Sequence, residues 1–206
     1  MATAGGGFMA GQQAIECEVL VVGAGPVGLT LAALLVRQGI QTVLVERNTS
    51  VEPEPRAVTV DDESLRTYQS AGVLDEILPD LVLGYGVQYF GWNGQPFAAI
   101  QPTREEYGYP KRNAFRQPQL EQTLRDFLQR QPGASIRFGC EMVDFHEAPD
   151  GIEATLNSGG TTSTLRARFL VACDGARSKV RERCGIALDG DTLAERWLIV
   201  DLLSRT

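Results

Sequence analysis

The stretch VLVVGAGPVGLTLAALL, residues 19–35, decides the fold because its character changes in the middle. Residues 17–22, mostly branched and apolar, predict a fully buried strand, which a burst of glycines ends. Apolar residues then recur at helical spacing as far as Gly39. The segment IQTVLVE, residues 40–46, predicts a second buried strand. A strand, a helix and a parallel strand within about 30 residues form a right-handed βαβ unit.

The glycines of this stretch follow the pattern G-x-G-x-x-G, with Gly23, Gly25 and Gly28 between the strand and the helix. The first permits a tight turn, the second leaves room for a pyrophosphate, and the third lets helix and strand pack closely. Phosphates would then face the free N–H groups and positive end of the helix. Glu46 ends the second strand about 20 residues later, where a carboxylate accepts hydrogen bonds from ribose hydroxyls. A glycine-rich turn of another α/β protein is the alternative, but the combination predicts dinucleotide binding.

The rest of the chain departs from a simple alternation of strands and helices. After a proline-broken loop, residues 60–72 predict a helix, and residues 84–100 predict a hairpin. Residues 117–130 predict a second amphipathic helix, and a β-meander follows with its last strand ending at Asp174. Strands and helices would keep alternating in a simple nicotinamide dehydrogenase. The inserted meander therefore favours FAD as the dinucleotide.

The amino-acid composition of the chain argues against several classes of function. The chain has 206 residues, 43% apolar, and a formal charge of −7 with its basic residues spread singly, which argues against nucleic-acid binding. No apolar run reaches the roughly 20 residues that cross a bilayer. The four cysteines lack metal-ligand spacing and there is one histidine, so we expect buried reduced thiols, no metal site and a cytoplasmic protein.

Two further patterns are weaker indications of catalysis. Tyr107 and Lys111 have the Y-x-x-x-K spacing of short-chain dehydrogenases, but Gly108 and Pro110 argue against the helix this chemistry needs, so we predict a loop. His146 lies in a meander strand without a nucleophile motif, and we predict a partly exposed sheet residue. The sequence thus offers no catalytic side chain.

Four segments carry a family resemblance: VVGAGPVG with LVER, PRAVTVDDESLR, RNAFRQPQLEQTL, and LVACDGARSKVR. Together they resemble the single-component FAD-dependent aromatic hydroxylases, the p-hydroxybenzoate hydroxylase group. The second and third, with YGYPKRNAF and ERWLIVDL, are most similar to the branch acting on 3-(3-hydroxyphenyl)propionate. The resemblance implies an α/β fold: a Rossmann-like FAD-binding domain of the glutathione-reductase type, with a parallel sheet, a β-meander and the beginning of a substrate-domain sheet.

The resemblance also assigns cofactor contacts. The glycine turn would hold the pyrophosphate, Glu46 the ribose, and Arg47 would lie beside the adenine. Arg56 would lie near the flavin and its phosphates, Gln117 at the phosphate and ribityl region, and Asp174 with Gly175 would support FAD and the passage of NAD(P)H. Solvated arginines, a helix-start glutamine and a strand-end turn are the alternatives. The implied FAD-binding residues are Gly23, Gly25, Pro26, Val27, Gly28, Glu46, Arg47, Arg56, Gln117, Asp174 and Gly175.

The implied organisation is a disordered leader at 1–15, an FAD-binding domain at 16–190 with 84–112 on the substrate side, and the start of a substrate domain at 191–206. The implied activity is hydroxylation of a phenolic acid with NAD(P)H and O2, in which no side chain acts as nucleophile; a homodimer is left open. The second flavin motif of the family is missing, so we expect these residues alone to bind FAD weakly and to be inactive. A non-catalytic nucleotide-binding module and another flavoprotein oxidoreductase on the same fold are the alternatives.

Overall fold

The computed structural model describes residues 15–50, 56–191 and 193–195, together with residues 198 and 200. The predicted leader at 1–15 lies outside the described residues except for residue 15. Most of the predicted start of the substrate domain at 191–206 also lies outside them. The domain boundaries therefore stay predictions.

A six-stranded sheet forms the centre of the chain. Its strands are β1 Cys17–Val22, β2 Thr42–Glu46, β8 Ala134–Phe138, β9 Cys140–Ala148, β10 Gly151–Ser158 and β11 Thr161–Ala172. They lie in the order β8-β2-β1-β11-β10-β9. Strands β8, β2, β1 and β11 are parallel, whereas β9, β10 and β11 form the antiparallel meander. This arrangement confirms the predicted combination of a parallel sheet with a β-meander.

Strand β11 joins the two parts of the sheet. Its first half, Thr161 to Ala167, pairs with β10, and its second half, Ala167 to Ala172, pairs with β1. The strand ends at Ala172, two residues before the predicted end at Asp174. The residues that follow β11 consequently lie beside the turn that follows β1, since parallel strands end at the same edge of a sheet.

Helices cover one face of the parallel strands. The helix α1, Pro26–Arg37, follows β1 directly and packs with α2, Asp62–Ala71, and α4, Gln117–Gln129. The helix predicted at 60–72 begins at Asp62, where the side chain of Asp61 caps it. Gly72 follows its end with a φ of 80°. Residues buried on this face are Val19, Val21, Leu29, Leu44, Leu65, Leu120, Leu124 and Leu128.

The meander covers the opposite face. Leu20 and Val22 of β1 pack there with Met142, Leu156 and Leu165 of the meander strands. Alternate residues of β1 from Val19 to Val22 thus enter two different cores, which explains why this part of the strand is apolar. The prediction that residues 17–22 are fully buried was wrong at Glu18, whose side chain is partly exposed.

Two short helices complete the fold. The helix α3, Leu74–Ile77, followed by a 3-10 turn at Leu78–Asp80, packs in the core of the helical face. The helix α5, Lys179–Arg183, places Val180 in the core beneath the meander.

Two small sheets lie outside the main one. One contains β3 (Thr59–Val60), β7 (Asn113–Ala114) and β4 (Val82–Leu83). The other is the predicted hairpin, β5 (Val87–Phe90) with β6 (Pro96–Ile100). Several hairpin side chains are exposed, with Trp92 at the tip fully so. The hairpin therefore offers an apolar surface that the described residues leave uncovered.

Candidate dinucleotide-binding site

A cleft of about 250 Å³ opens at the carboxyl ends of β1, β2 and β11. This edge is where open α/β sheets bind their ligands. The structure brings together ten of the eleven predicted residues here; Gly28 does not line the cleft. Its predicted role was in packing, so its place behind the turn agrees with that role. Residues that the sequence did not single out also line the cleft, among them Asn48, Glu121, Cys173, Arg177 and Lys179.

The three glycines of the turn differ in the space around them. A Cβ on Gly28 would lie 1.9 Å from the carbonyl oxygen of Gly23, and one on Gly23 would lie 2.4 Å from the carbonyl oxygen of Cys173. A Cβ on Gly25 would meet no atom within 4 Å. Gly23 and Gly28 are therefore required for closure of the turn, while Gly25 keeps the backbone accessible from the cleft.

The start of α1 faces this open space. Gly25 is the N-cap, Pro26 occupies the first turn, and no side chain caps the helix. Val27 is 69% exposed. The first N–H groups of a helix have no partners within the helix, and its N-terminus carries a partial positive charge. The geometry here suits a bound anion, and no side chain has to move to admit it.

The carboxylate of Glu46 binds the backbone on both sides of the cleft. One oxygen accepts a 2.9 Å hydrogen bond from the N–H of Ala24, and the other accepts a 2.9 Å bond from the N–H of Asn48. A carboxylate has about four lone-pair sites, so two remain after these bonds. Glu46 thus stabilises the glycine turn and retains acceptors for the hydroxyl groups of a ribose.

Cationic side chains surround the cleft. Arg47 follows β2, and Arg56 reaches the cleft from the segment before β3. Arg177 and Lys179 enter from the loop and helix after β11. Glu141 of β9 forms an ion pair with Lys179. The positive groups suit a diphosphate, which guanidinium groups bind with paired hydrogen bonds.

Gln117 joins two distant parts of the site and is 6% exposed. Its Oε1 accepts hydrogen bonds from the N–H groups of Arg56 and Ala57, at 2.8 and 2.9 Å. Its Nε2 donates to Oε1 of Glu121 across 2.8 Å. The resemblance implies a direct contact between this glutamine and FAD, and the structure adds a link between α4 and the Arg56 segment.

Asp174 follows β11 and holds the start of α5. Its Oδ2 accepts a 2.8 Å hydrogen bond from the N–H of Lys179. The next residue, Gly175, has a φ of 80°, which lets the chain turn here. Beside it, burial and secondarily the charge of Asp174 raise the pKa of the Cys173 thiol. Cys173 therefore stays protonated and unreactive at neutral pH.

The weaker sequence patterns have structural explanations. Tyr107 lies in a turn outside any helix, as predicted, and Lys111 forms a 2.9 Å ion pair with Glu106. That ion pair raises the pKa of Lys111. His146 lies in β9 with its side chain 64% exposed, which confirms the predicted sheet residue.

All four cysteines are free thiols, but the expectation that all of them are buried was wrong. Cys17 and Cys140 are buried and Cys173 is half-buried, whereas Cys184 is exposed because it follows the end of the short α5.

Over the ranges the structure describes, no three His, Cys, Asp or Glu side chains group as metal ligands. Over the same ranges, no helix has both the length and the apolar character that spanning a membrane requires.

Comparison with known proteins agrees with this geometry. The FAD binding domain family matches residues 16–206. The 3-(3-hydroxy-phenyl)propionate/3-hydroxycinnamic acid hydroxylase of Mycobacterium sp. (strain JLS) is 41% identical over 187 residues, covering 91% of this chain and 33% of the relative. The chain thus spans about a third of the length of the curated relatives it matches.

Solved structures show the same similarity. The p-nitrophenol 4-monooxygenase of Pseudomonas putida DLL-E4 superposes with a TM-score of 0.81 at 30% identity, covering 87% of this chain and 46% of that one. A flavin-dependent monooxygenase solved with FAD and substrate superposes with a TM-score of 0.76 at 27% identity, covering 86% of this chain and 34% of that one. With the cleft and the glycine turn described above, the family match shows that the chain belongs to the FAD binding domain family.

Proposed function

We propose that this chain is the FAD-binding portion of a monooxygenase that hydroxylates a phenolic aromatic acid, such as 3-(3-hydroxyphenyl)propionate, with NAD(P)H and O2. The observation that carries the proposal is the open glycine turn joined to Glu46. Room beside Gly25, an uncapped helix start and a carboxylate with free acceptors lie at one edge of the sheet. These are the parts that bind the ADP half of a dinucleotide.

The residues present fit FAD. The diphosphate would lie against the N–H groups after Gly25, with Arg56 on its other side. Glu46 would accept hydrogen bonds from the adenosine ribose, and Arg47 would lie beside the adenine. Pro26 and Val27 would line the helix side, with Gly23 and Gly28 closing the turn behind the diphosphate. Gln117, Asp174 and Gly175 would contact the remaining part of the cofactor.

In this arrangement the cofactor and the protein residues have different roles. Bound FAD supplies the electron transfer from NAD(P)H and the activation of dioxygen. The described residues supply binding and orientation: N–H groups for the diphosphate, a carboxylate for the ribose, and cations for charge balance. None of them needs to act as a nucleophile, and the thiol of Cys173 is held protonated by burial.

The substrate class rests on the relatives. Their names give 3-(3-hydroxyphenyl)propionate and 3-hydroxycinnamic acid as substrates, and the identity of about 40% supports a similar phenolic acid here. We propose that residues 84–112 contribute to the substrate side, since the hairpin there presents uncovered aromatic residues. Residues 16–190 would be the FAD-binding domain and 191–206 the start of the substrate domain.

For residues 1–206 alone, a nucleotide-binding module without activity is the second candidate. This candidate concerns only these residues, which match about a third of the length of the hydroxylases. On this reading the chain binds FAD weakly and hydroxylates nothing. Dimerisation, a cytoplasmic location and the choice between NADH and NADPH belong to the same proposal and need separate measurements.

A chimera tests the activity. We would join this chain to the remaining two thirds of the Mycobacterium hydroxylase, with that intact hydroxylase as the control. The expected result is a yellow protein whose NADH or NADPH oxidation is accelerated by hydroxyphenyl acids, with hydroxylated product formed. A chimera that retains FAD but converts no phenolic acid would contradict the proposed activity.

A further inference from the structure

Two polar side chains lie one helical turn apart on α4, at the edge of the cleft. Gln117 and Glu121 are only 6% and 2% exposed. Burial of a carboxylate is costly unless hydrogen bonds compensate for the lost water. Glu121 receives such a bond, 2.8 Å long, from Nε2 of Gln117. Glu121 is therefore a buried acid beside the proposed diphosphate site, joined by a hydrogen bond to Gln117.

The structural effect of the hydrogen bond to Glu121 depends on the contacts at the other end of the Gln117 amide. Its oxygen accepts from the N–H groups of Arg56 and Ala57, about sixty residues away in sequence. These two bonds use both lone pairs of the oxygen. They fix the segment that brings the Arg56 side chain to the cleft.

A glutamine amide has two chemically different ends of similar size. Turned by 180°, the Gln117 side chain would present its NH2 group to the two N–H donors, and both bonds would be lost. In the structure, the carboxylate oxygen of Glu121 accepts from the NH2 group of Gln117. Glu121 therefore favours the orientation in which the NH2 group of Gln117 faces α4 and the oxygen faces the Arg56 segment.

We propose that Glu121 is a positioning residue for nucleotide binding: it fixes the orientation of the Gln117 amide and thereby holds the Arg56 segment at the cleft. The inference rests on the proposed function, because the ligand it serves is the diphosphate of FAD. Glu121 acts through Gln117 and needs no contact with the cofactor.

Amide hydrogen exchange tests the positioning without any ligand. Glu121→Met keeps the length of the side chain and removes the charged acceptor. We expect the protection of the Arg56 and Ala57 amides to fall about three- to tenfold, the value of one or two weakened hydrogen bonds. The amide of Cys173, which donates to the carbonyl of Val22 across 2.7 Å, serves as the internal reference and stays unchanged.

The same helix offers a matched control. Nε2 of Gln122 donates to Oδ1 of Asp126 across 2.7 Å, with the same spacing and chemistry but outside the cleft. Asp126→Leu should leave the Arg56 and Ala57 amides as protected as in the parent chain. Equal loss of protection in the two variants, or an unchanged exchange rate in Glu121→Met, would overturn the proposal.

Exchanging the two side chains tests the orientation itself. Gln117→Glu alone places two carboxylates in contact and should expose the Arg56 and Ala57 amides. Adding Glu121→Gln restores one donor between positions 117 and 121 and keeps an acceptor for the loop. We expect the double variant to recover protection to within about twofold of the parent chain. A double variant no better than Gln117→Glu alone would overturn the proposal, even if Glu121→Met does not fold.

FAD titration then connects positioning to binding. Glu121→Met should weaken FAD binding by about the factor that it removes from amide protection, and Asp126→Leu should not. Reduced protection with unchanged FAD affinity contradicts the positioning role. A parent chain that binds no FAD contradicts the proposed function instead, while the exchange measurements still decide the role of Glu121.

Discussion

The carboxylate of Glu46, at the end of β2, accepts a 2.9 Å hydrogen bond from the N–H of Ala24, in the turn that follows β1. This bond joins the neighbouring strands at the edge where the cleft opens. One side chain consequently shapes the glycine turn and provides acceptors beside it. The proposed binding of ribose and diphosphate at adjacent positions depends on this relationship.

Glu46→Gln should weaken FAD binding at least tenfold, because hydrogen bonds to a charged group contribute about 1.5–3 kcal/mol. Fluorescence titration with FAD measures the effect. Glu18→Gln is the matched control, since Glu18 accepts a 3.1 Å bond from the N–H of Gln41 away from the cleft. Equal losses in the two variants would indicate general damage to the sheet and contradict the role of Glu46.

Alanine substitutions should separate the glycines by their surroundings. Gly28→Ala should prevent stable folding, because its Cβ would lie 1.9 Å from a backbone oxygen. Gly25→Ala should change the free energy of unfolding by about 1 kcal/mol or less, since the space is open and the residue is an N-cap in extended conformation. It should nevertheless weaken FAD binding. Denaturant unfolding and FAD titration check both expectations, and a stable Gly28→Ala variant would contradict the geometry of the turn.

Thiol labelling should report occupation of the cleft. Burial raises the pKa of Cys173, whereas Cys184 is exposed, so a thiol reagent should modify Cys184 first at neutral pH. Labelling of Cys173 should need a pH above the ordinary thiol pKa, and FAD should slow it because Cys173 lines the cleft. Mass spectrometry of peptides identifies the labelled residue. Labelling of Cys173 that FAD does not affect would place the cofactor elsewhere.

The raised pKa of Cys173 also predicts how the free energy of unfolding depends on pH. Above the ordinary thiol pKa, the unfolded chain loses this proton while the folded chain retains it. The free energy of unfolding should therefore fall as the pH rises through that range, and the fall should diminish in Cys173→Ser. Denaturant unfolding at neutral and alkaline pH measures it. An identical alkaline slope in the two proteins would show that Cys173 does not contribute.

Local patterns predicted most of the fold, and the missed parts depend on distant contacts. The periodicity of residues 19–46 predicts the βαβ unit, with the second strand beginning at Thr42 and not at residue 40. Strand β8 was not predicted, because ASIRF is short and lies between two glycine turns. The double pairing of β11 could not be predicted either, since its neighbours β1 and β10 are set by the tertiary fold.

In the candidate site, too, local patterns predicted some residues, and the roles of others depend on distant contacts. Gly23, Gly25, Gly28 and Glu46 were predicted because the motif has a mechanism at fixed spacing. The role of Gln117 as a link to the Arg56 segment was missed, since no local pattern relates residues sixty positions apart. Glu121 was read only as a helix residue, and its burial is visible only after α4 packs beside the cleft.

The central claim is that the backbone between Val22 and Leu29 binds the diphosphate of FAD while Glu46 binds the ribose. Two-dimensional amide NMR of this chain during FAD titration tests it most directly. We expect the largest shifts at the amides of residues 23–25 and 27–29, followed by residues 46–48 and 56–57; Pro26 has no N–H group. Saturable shifts confined to other parts of the chain, or no shift at millimolar FAD, would contradict the account.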